Sequence, residues 1–239
     1  MGKLSQTLRK LENFRVLEAY LPGDNSRRQT PEAYIRSSEP SPRRVLDLGC
    51  GEGDSMELFR KAIPDVEWHG VDIEDSPEVR NRTREHESMQ SFDGVHLPYP
   101  DAHFDLIYCN QVLEHVRYPD QLVPEALRVL RPGGRFVAAV SYLEPYHSYS
   151  VFNFTPYGVI AVFGEAGFTV QELRPGSDAS LLILRQLCNR SRNLKLLWNH
   201  NYLHGICELM GKLFRLDHQE RNFLKLQFSG HLFFVAKRP

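Results

Sequence analysis

The chain has 239 residues, of which 41% are hydrophobic and 25% are charged, and its formal net charge at pH 7 is -1. This composition is typical of a globular protein, and the length suits one domain with insertions. A nearly neutral chain lacks the basic excess that phosphate neutralisation requires, so no nucleic-acid partner is expected. No apolar run approaches 18 residues and the first residues do not resemble a signal peptide, so we expect a cytoplasmic protein.

The hydrophobic pattern predicts an amphipathic helix over residues 3–20, followed by a polar stretch to Pro42. From Arg43 onward, short apolar runs bounded by turn residues alternate with helical periodicity and predict seven strands. The strands are expected at residues 45–48, 66–73, 92–97, 104–110, 135–142, 168–173 and 230–237. Helices are expected between them at residues 55–63, 76–90, 119–130 and 155–167.

This alternation predicts an α/β fold, in which helices cover both faces of a mostly parallel sheet. Residues 177–229 interrupt the alternation with helical periodicity, which predicts a helical insertion before the last strand. The predicted organisation is therefore an N-terminal helical segment at 1–42, a core formed by 43–176 and 230–239, and the insertion.

The nine residues from Val45 to Gly53 read V-L-D-L-G-C-G-E-G, an apolar strand that runs into a glycine-rich turn. Glycine allows a ligand to lie directly against the main chain, and nucleotides bind where parallel strands end. A dinucleotide would require G-x-G-x-x-G, but Asp54 occupies the position of its third glycine. Acidic Asp47 and Glu52 disfavour a pyrophosphate and tolerate a cation, although a turn that binds no ligand is an alternative.

The turn resembles the first motif of class I S-adenosylmethionine-dependent methyltransferases, an acidic residue followed by G-x-G-x-G. The resemblance extends over about residues 43 to 173, and it is closest to methyltransferase domains of the type 11 kind. It implies a Rossmann-like, seven-stranded, mostly parallel sheet whose last strand is antiparallel, with S-adenosylmethionine as cofactor. That cofactor carries a sulfonium and an ammonium, which agrees with the acidic turn.

The same resemblance implies further cofactor contacts at the strand ends. Asp72 would accept the ribose hydroxyls, and Asp93 would accept the adenine amino group. The alternatives are an ordinary surface aspartate at Asp72 and a turn-forming aspartate at Asp93. The implied cofactor-binding residues are Asp47, Gly49, Cys50, Gly51, Gly53, Asp72, Ile73, Asp93, Gly94, Asn110 and Gln111.

The loop after the fifth strand, residues 141–150, is the candidate acceptor site, and the N-terminal segment is expected to cover it. The loop is similar to a P-Y-H stretch of methyltransferases associated with sugar and cell-envelope biosynthesis. We expect an acceptor hydroxyl to lose its proton to His147, with His115 and Glu144 as further candidates. Each of the three also has a structural interpretation as a loop-ordering or packing residue. Three tyrosines of the loop suit an apolar, hydroxylated acceptor: Tyr142, Tyr146 and Tyr149. No metal ion is expected.

The leading hypothesis is therefore O-methylation of a small-molecule hydroxyl, on a sugar, a glycoconjugate or a secondary metabolite. Alternatives are a lipid or quinone methyltransferase at a membrane surface, and a binding protein that retains the fold without catalysis. The insertion carries apolar residues between Leu194 and Phe214 beside basic ones, which predicts core packing, peripheral membrane contact or a homodimer contact. The basic residues are Lys195, Lys212, Arg215 and Arg221.

Overall fold

The computed structural model describes residues 2–25, 30–36, 40–83, 86–147 and 149–239. These residues form seven strands in a single sheet. The strands are β1 (Arg44–Leu48), β2 (Glu67–Ile73), β3 (Met89–Phe92), β4 (Phe104–Asn110), β5 (Leu130–Ser141), β6 (Thr169–Pro175) and β7 (His231–Lys237).

The strand order is β3-β2-β1-β4-β5-β7-β6. Strands β1 to β5 pair in parallel, and β7 is antiparallel to both β5 and β6. The predicted fold class is confirmed, including the antiparallel last strand. Strands β2 and β3 lie on one side of β1, and β4 and the strands that follow lie on its other side. The loops that leave β1 and β4 therefore run in opposite directions, and a crevice forms between the carboxyl ends of these two strands.

Ten α-helices accompany the sheet in the described residues, together with 3-10 turns at 18–20, 113–115 and 192–197. The helices are α1 (Lys3–Lys10), α2 (Glu12–Leu17), α3 (Pro31–Ile35), α4 (Asp54–Ala62), α5 (Pro77–Arg80), α6 (Pro119–Val129), α7 (Pro156–Glu165), α8 (Ala179–Leu187), α9 (Tyr202–Leu213) and α10 (His218–Leu226). No helix of the described residues combines the length and apolar composition needed to cross a bilayer.

Two buried clusters lie on opposite faces of the sheet, as the alternation of side chains along strands requires. Val45 and Leu106 belong to the cluster that contains residues of α3 and α4. Their neighbours Leu46 and Ile107 belong to the larger cluster, which includes residues of α1, α2, α6, α7 and α10. Both faces of the central strands are therefore buried, as a parallel sheet requires.

Three sequence predictions of secondary structure are wrong in position. The third strand lies at Met89–Phe92, not at 92–97. The helix predicted over 76–90 extends only over Pro77–Arg80, because its Arg- and Glu-rich sequence has no apolar face to bury; residues 84 and 85 lie outside the described residues. Strand β5 begins at Leu130, five residues earlier than predicted, because Gly133 and Gly134 exchange backbone hydrogen bonds with Arg238.

The N-terminal helix predicted over 3–20 is divided at Leu11, whose backbone is extended. Helices α1 and α2 pack against α10 of the insertion, where the rings of Phe14 and Phe223 meet edge to face at 5.1 Å. Arg9 Nε donates to Glu220 Oε1 over 2.9 Å in the same contact. Helix α3 instead contacts α4, β4 and β5, so it is the N-terminal element that reaches the sheet beside the crevice.

Helix α7 begins at an N-cap that follows the candidate acceptor loop. Thr155 Oγ1 accepts a hydrogen bond from the Gly158 amide over 3.0 Å, and Pro156 occupies the first helical position. We predict that Thr155→Ala lowers the free energy of unfolding by about 1 kcal/mol, because that amide loses its partner. Thr155→Ser, which retains the hydroxyl, is the matched control. Equal urea midpoints for the two variants would contradict the prediction.

Candidate active site

The glycine turn after β1 depends on positive backbone φ angles at all three glycines, +77° at Gly49, +50° at Gly51 and +79° at Gly53. A Cβ atom at Gly49 would lie 2.3 Å from the Val112 side chain, and one at Gly53 would lie 2.0 Å from Met89 Cε. At Gly51 the nearest atom would be 3.5 Å away. The outer two glycines therefore serve the packing of the protein itself, whereas a Cβ atom at the middle one would make only ordinary contact with Glu78.

Asp47 places a buried carboxylate directly beneath this turn. It accepts a hydrogen bond from Ser55 Oγ, which in turn accepts one from Trp68 Nε1 over 2.9 Å. Burial raises the pKa of Asp47 to about 7, and the charges of Asp72 and Glu32 add to the rise. A cation bound here would be stabilised by the Asp47 carboxylate, because it would relieve the repulsion that Asp47 feels from Asp72 and Glu32.

Asp72 holds the turn from the adjacent strand. Its Oδ2 accepts from the Gly51 amide over 2.7 Å, and its Oδ1 accepts from the Ile73 amide over 2.8 Å. Burial raises the pKa of Asp72, and these two hydrogen bonds oppose part of the rise. The Arg82 guanidinium donates to the Gly51 carbonyl over 2.6 and 2.9 Å, so a cation of the protein itself lies against the turn.

Glu32 of α3 reaches the carboxyl end of β4 and completes the acidic group. Its Oε1 accepts hydrogen bonds from the Tyr108 hydroxyl and, over 3.1 Å, from Asn110 Nδ2. Burial raises the pKa of the Tyr108 hydroxyl well above its ordinary value, and the nearby Glu32 charge contributes. Neither Glu32 nor Arg82 follows from the sequence pattern, because each lies outside a recognisable motif and reaches the turn only through the fold.

The second and third strands end side by side, where Ile73 pairs with Phe92 and Asp93 follows. Asp93 Oδ1 accepts from the amides of Val95 and His96 over 2.8 and 2.6 Å, and Oδ2 lies 2.7 Å from His96 Nδ1. These hydrogen bonds hold the pKa of the exposed Asp93 carboxyl down at about 2. Gly94 lies against Ile73, and Ile73 is 43% exposed, so it offers an apolar surface beside Asp93.

Cys50 and Gln111 are two further residues that the sequence predicts to bind the cofactor. Cys50 is buried in the core, where burial raises the pKa of its thiol to about 12, so its side chain faces away from solvent. Gln111 has a left-handed φ of 58°, and its amide donates to the Ala139 carbonyl over 2.9 Å. Gln111 Oε1 also lies 3.2 Å from Ser141 Oγ, which brings the β4 end close to the β5 end.

A second polar group lies at the same edge of the sheet, where the chain leaves β4 and β5 and enters β7. We call it the His–Glu cluster. It contains all three predicted proton-transfer residues, which the fold brings together from two loops, and three residues that sequence reasoning did not assign. Its members are Glu114, His115, Ser141, Glu144, His147 and His231.

Glu144 is the hydrogen-bonding centre of the cluster. Its Oε2 lies 3.0 Å from His147 Nδ1, 3.0 Å from His231 Nε2 and 2.8 Å from Ser141 Oγ. Burial alone would raise the pKa of Glu144, but the hydrogen bonds from these three side chains hold it well below its ordinary value. The Glu144 hydrogen bond raises the pKa of His147. An ionised Glu144 thus fixes the orientation of the His147 ring.

His115 and Glu114 approach His147 from the 3-10 turn after β4. The Nε2 atoms of His115 and His147 are 3.2 Å apart, and the ring planes meet at 77°. Glu114 is fully buried, and its Oε1 lies 3.0 Å from Ser141 Oγ. The cluster adjoins the glycine turn, because the chain between them runs through Val112, which packs on Gly49.

The three predicted substrate tyrosines occupy different environments. Tyr142 is partly buried against the core, and its amide donates to the Gly230 carbonyl over 2.7 Å. Tyr146 and Tyr149 are exposed on the loop that carries His147. The structure therefore leaves two tyrosines free to meet a ligand and gives the third a packing role.

Comparison with known proteins agrees with this geometry. A methyltransferase domain model matches residues 46–138, which contain the glycine turn and the strand ends around it. The methyltransferase domain predicted from the sequence is thereby confirmed over residues 46–138.

The chain is 37% identical over 118 residues to the methyltransferase GfsG of Streptomyces halstedii, which covers 47% of this chain and 42% of that protein. It is 33% identical over 109 residues to a 27-O-demethylrifamycin SV methyltransferase of Amycolatopsis mediterranei, covering 43% and 40%. The chain thus matches less than half the length of these curated relatives.

A solved complex of a Haloferax volcanii methyltransferase with the Trm112 activator contains a chain of the same fold. The TM-score is 0.57 at 20% identity, with 100% of this chain and 99% of that chain covered. This likeness supports the fold of the methyltransferase domain.

Proposed function

We propose that this chain transfers a methyl group from S-adenosylmethionine to a hydroxyl of a small molecule, on a sugar, a glycoconjugate or a secondary metabolite. The observation that carries the proposal is the position of the His–Glu cluster, which adjoins the acidic glycine turn at one edge of the sheet. One half of the edge suits a cationic cofactor, and the other half suits the removal of a proton. The relative named for O-methylation of a rifamycin supports a hydroxyl as the acceptor.

The residues of the turn fit the cofactor. Gly51 has no side chain to keep a ligand from the main chain, while Asp47, Asp72 and Glu32 provide carboxylates for an ammonium and for ribose hydroxyls. We infer that the adenine ring lies against exposed Ile73, beside Gly94 and Asp93. When bound, S-adenosylmethionine supplies a methyl group on a sulfonium, which an acceptor oxygen attacks in line.

The His–Glu cluster would accept the proton of the acceptor hydroxyl. Because Glu144 accepts the Nδ1 hydrogen of His147, the neutral ring carries its lone pair on Nε2. That nitrogen is the base, and Glu144 stabilises the imidazolium that forms, as in other histidine–carboxylate pairs. Exposed Tyr146 and Tyr149 would hold the acceptor on the adjacent loop.

Cofactor binding is the first test. S-adenosylhomocysteine should bind to the purified chain in isothermal titration calorimetry, and NAD should not. Gly51→Val should abolish that binding, since a branched side chain strains the turn at its positive φ of 50° and adds bulk beside the main chain. Asp72→Ala should weaken it by about 1–3 kcal/mol through lost charge-assisted hydrogen bonds.

Gly23→Val is the matched control, because a Cβ atom at Gly23 meets no atom within 4 Å. Its affinity should equal that of the unmodified chain. Binding of NAD in preference to S-adenosylhomocysteine, or unchanged affinity in Gly51→Val, would refute the proposed cofactor site.

Proton removal is the second test. His147→Ala should lower turnover of a hydroxylated acceptor by about 10²–10⁴-fold, the usual contribution of a positioned base, and leave S-adenosylhomocysteine affinity intact. His200→Ala removes an exposed histidine of the insertion and serves as the control. Equal turnover in the two variants would exclude His147 from catalysis.

A membrane-surface acceptor is a second candidate, and the insertion favours it. The prediction that its apolar residues form core packing is wrong for one face of α9, where Ile206, Leu209 and Leu213 are exposed. Leu209 is 67% exposed and Leu213 is 71% exposed. An exposed apolar helix face beside Lys212 and the basic residues nearby suits the interface of an anionic bilayer.

Vesicle binding distinguishes this candidate from a homodimer. Phosphatidylglycerol vesicles should sediment the unmodified chain but not Leu209→Glu or Leu213→Glu, because a buried carboxylate at the bilayer interface is unfavourable. Val16→Glu changes an exposed apolar residue of α2 and should still sediment. The α9 face would instead be a homodimer contact if two results are found together. Light scattering would show a dimer for the unmodified chain and a monomer for Leu213→Glu, and neither protein would bind vesicles.

A further inference from the structure

The two facing histidines of the His–Glu cluster have a separation that a metal ion would require. His115 Nε2 and His147 Nε2 are 3.2 Å apart. Two nitrogens bound to one tetrahedral Zn²⁺ at about 2.0–2.1 Å are themselves separated by about 3.3 Å. The two side chains therefore already stand at the spacing of a chelate.

Glu114 supplies the second observation. Its side chain is 0% exposed, and Oε2 has no hydrogen-bond partner among the described residues, whereas Oε1 lies 3.0 Å from Ser141 Oγ. A buried carboxylate oxygen is stable when it is paired or coordinates a metal. One carboxylate oxygen of Glu114 and one nitrogen each of His115 and His147 lie within 4.8 Å of one another.

The groups behind His147 match the usual support of a metal-binding histidine. Such a histidine almost always donates its other ring hydrogen to a carboxylate, which fixes the tautomer and the ring orientation. Here His147 Nδ1 lies 3.0 Å from Glu144 Oε2, and Glu144 is itself held by His231 and Ser141. The Nε2 lone pair of His147 is thereby directed toward His115.

The backbone also holds the two loops together. The amides of Val151 and Phe152 donate to the Glu114 carbonyl over 2.7 and 3.1 Å, which fastens the loop after His147 to the turn that carries Glu114 and His115. A hydrogen bond between the two imidazoles would account for their contact alone. It would not account for the buried Glu114 carboxylate beside them, whose Oε1 lies 3.6 Å from His147 Nδ1 and whose Oε2 has no hydrogen-bond partner among the described residues.

We propose that the His–Glu cluster binds one divalent metal ion of the zinc type, through Nε2 of His115, Nε2 of His147 and a carboxylate oxygen of Glu114. Two histidines and one glutamate form a ligand set that binds Zn²⁺ and leaves a fourth position open. Thiolate ligands are absent from this set, so other borderline divalent ions would also bind. The separate loops that supply the ligands explain why no metal spacing is visible along the chain.

The catalytic consequence rests on the proposed function, whereas the metal site itself does not. With the ion bound, His147 Nε2 would be a ligand and would no longer accept the proton itself; the acceptor hydroxyl would occupy the open position, where the ion would lower its pKa. The hydroxyl proton passes to solvent. The oxygen electron pair then forms the bond to the methyl carbon as the carbon–sulfur bond breaks, and its pair stays on sulfur in S-adenosylhomocysteine.

Direct titration with metal tests the site without activity. The full chain, stripped with a chelator, should bind Zn²⁺ with a stoichiometry of one, and Co²⁺ should give the visible absorption of a tetrahedral site. His115→Ala and Glu114→Gln should each abolish the Co²⁺ spectrum. Glu144→Gln should weaken Zn²⁺ binding by about 10–100-fold, since it removes only the support of a ligand.

His200→Ala is the control for surface histidines, and its affinity should match that of the unmodified chain. The inference is overturned if the unmodified chain binds no Zn²⁺, or if His115→Ala binds it equally well. Should Glu114→Gln fail to fold by circular dichroism, the partly exposed His115 variant decides the question.

S-adenosylhomocysteine titration of the same samples separates this inference from the proposed function. Binding of the nucleoside without Zn²⁺ binding would overturn the metal site and leave the methyltransferase proposal standing. Zn²⁺ binding without binding of the nucleoside would support the metal site and overturn the methyltransferase proposal.

Discussion

The buried carboxylate of Asp47 is the constraint on which the site depends. It lies beneath the glycine turn, supported by Ser55 and opposed by the charges of Asp72 and Glu32. Concentrating negative charge in a buried place is unfavourable unless something compensates, and burial already raises the pKa of Asp47 to about 7. Arg82 compensates in part from outside the turn. The whole arrangement therefore favours a cationic ligand over a phosphate.

The second constraint is the hydrogen-bonding centre at Glu144, which orders the other half of the sheet edge. It joins the loop after β5 to the start of β7, so the antiparallel last strand contributes to the site as well as to the sheet. Ser141 and Gln111 then connect this centre to the end of β4. The acidic turn and the His–Glu cluster are thus two parts of one continuous polar surface.

The sequence predicted the parts of the fold whose signals are local. Buried strands such as β4 were placed correctly, because a continuous apolar run between turn residues has few other interpretations. Strand β3 was misplaced, because M-Q-S-F at a sheet edge is half polar and resembles a loop. The helix at 76–90 was overextended, because charged residues of high helix propensity do not form a helix without a face to bury.

The site was predictable to a similar extent. Motif residues such as Asp47, Gly51 and Asp72 meet at the turn. They could be predicted because each lies at or just after the end of a strand that the sequence identifies. Glu32 and His231 could not be found, since nothing in their neighbours along the chain shows that they reach this edge. Only the packing of α3 on the sheet and the antiparallel course of β7 bring them there.

The match to the methyltransferase domain covers only part of the site. It ends at residue 138, whereas the loop carrying Glu144 and His147 and the exposed face of α9 lie beyond it. Similarity to relatives therefore informs the cofactor half of the edge, and the acceptor must be inferred from the chemistry of the other half.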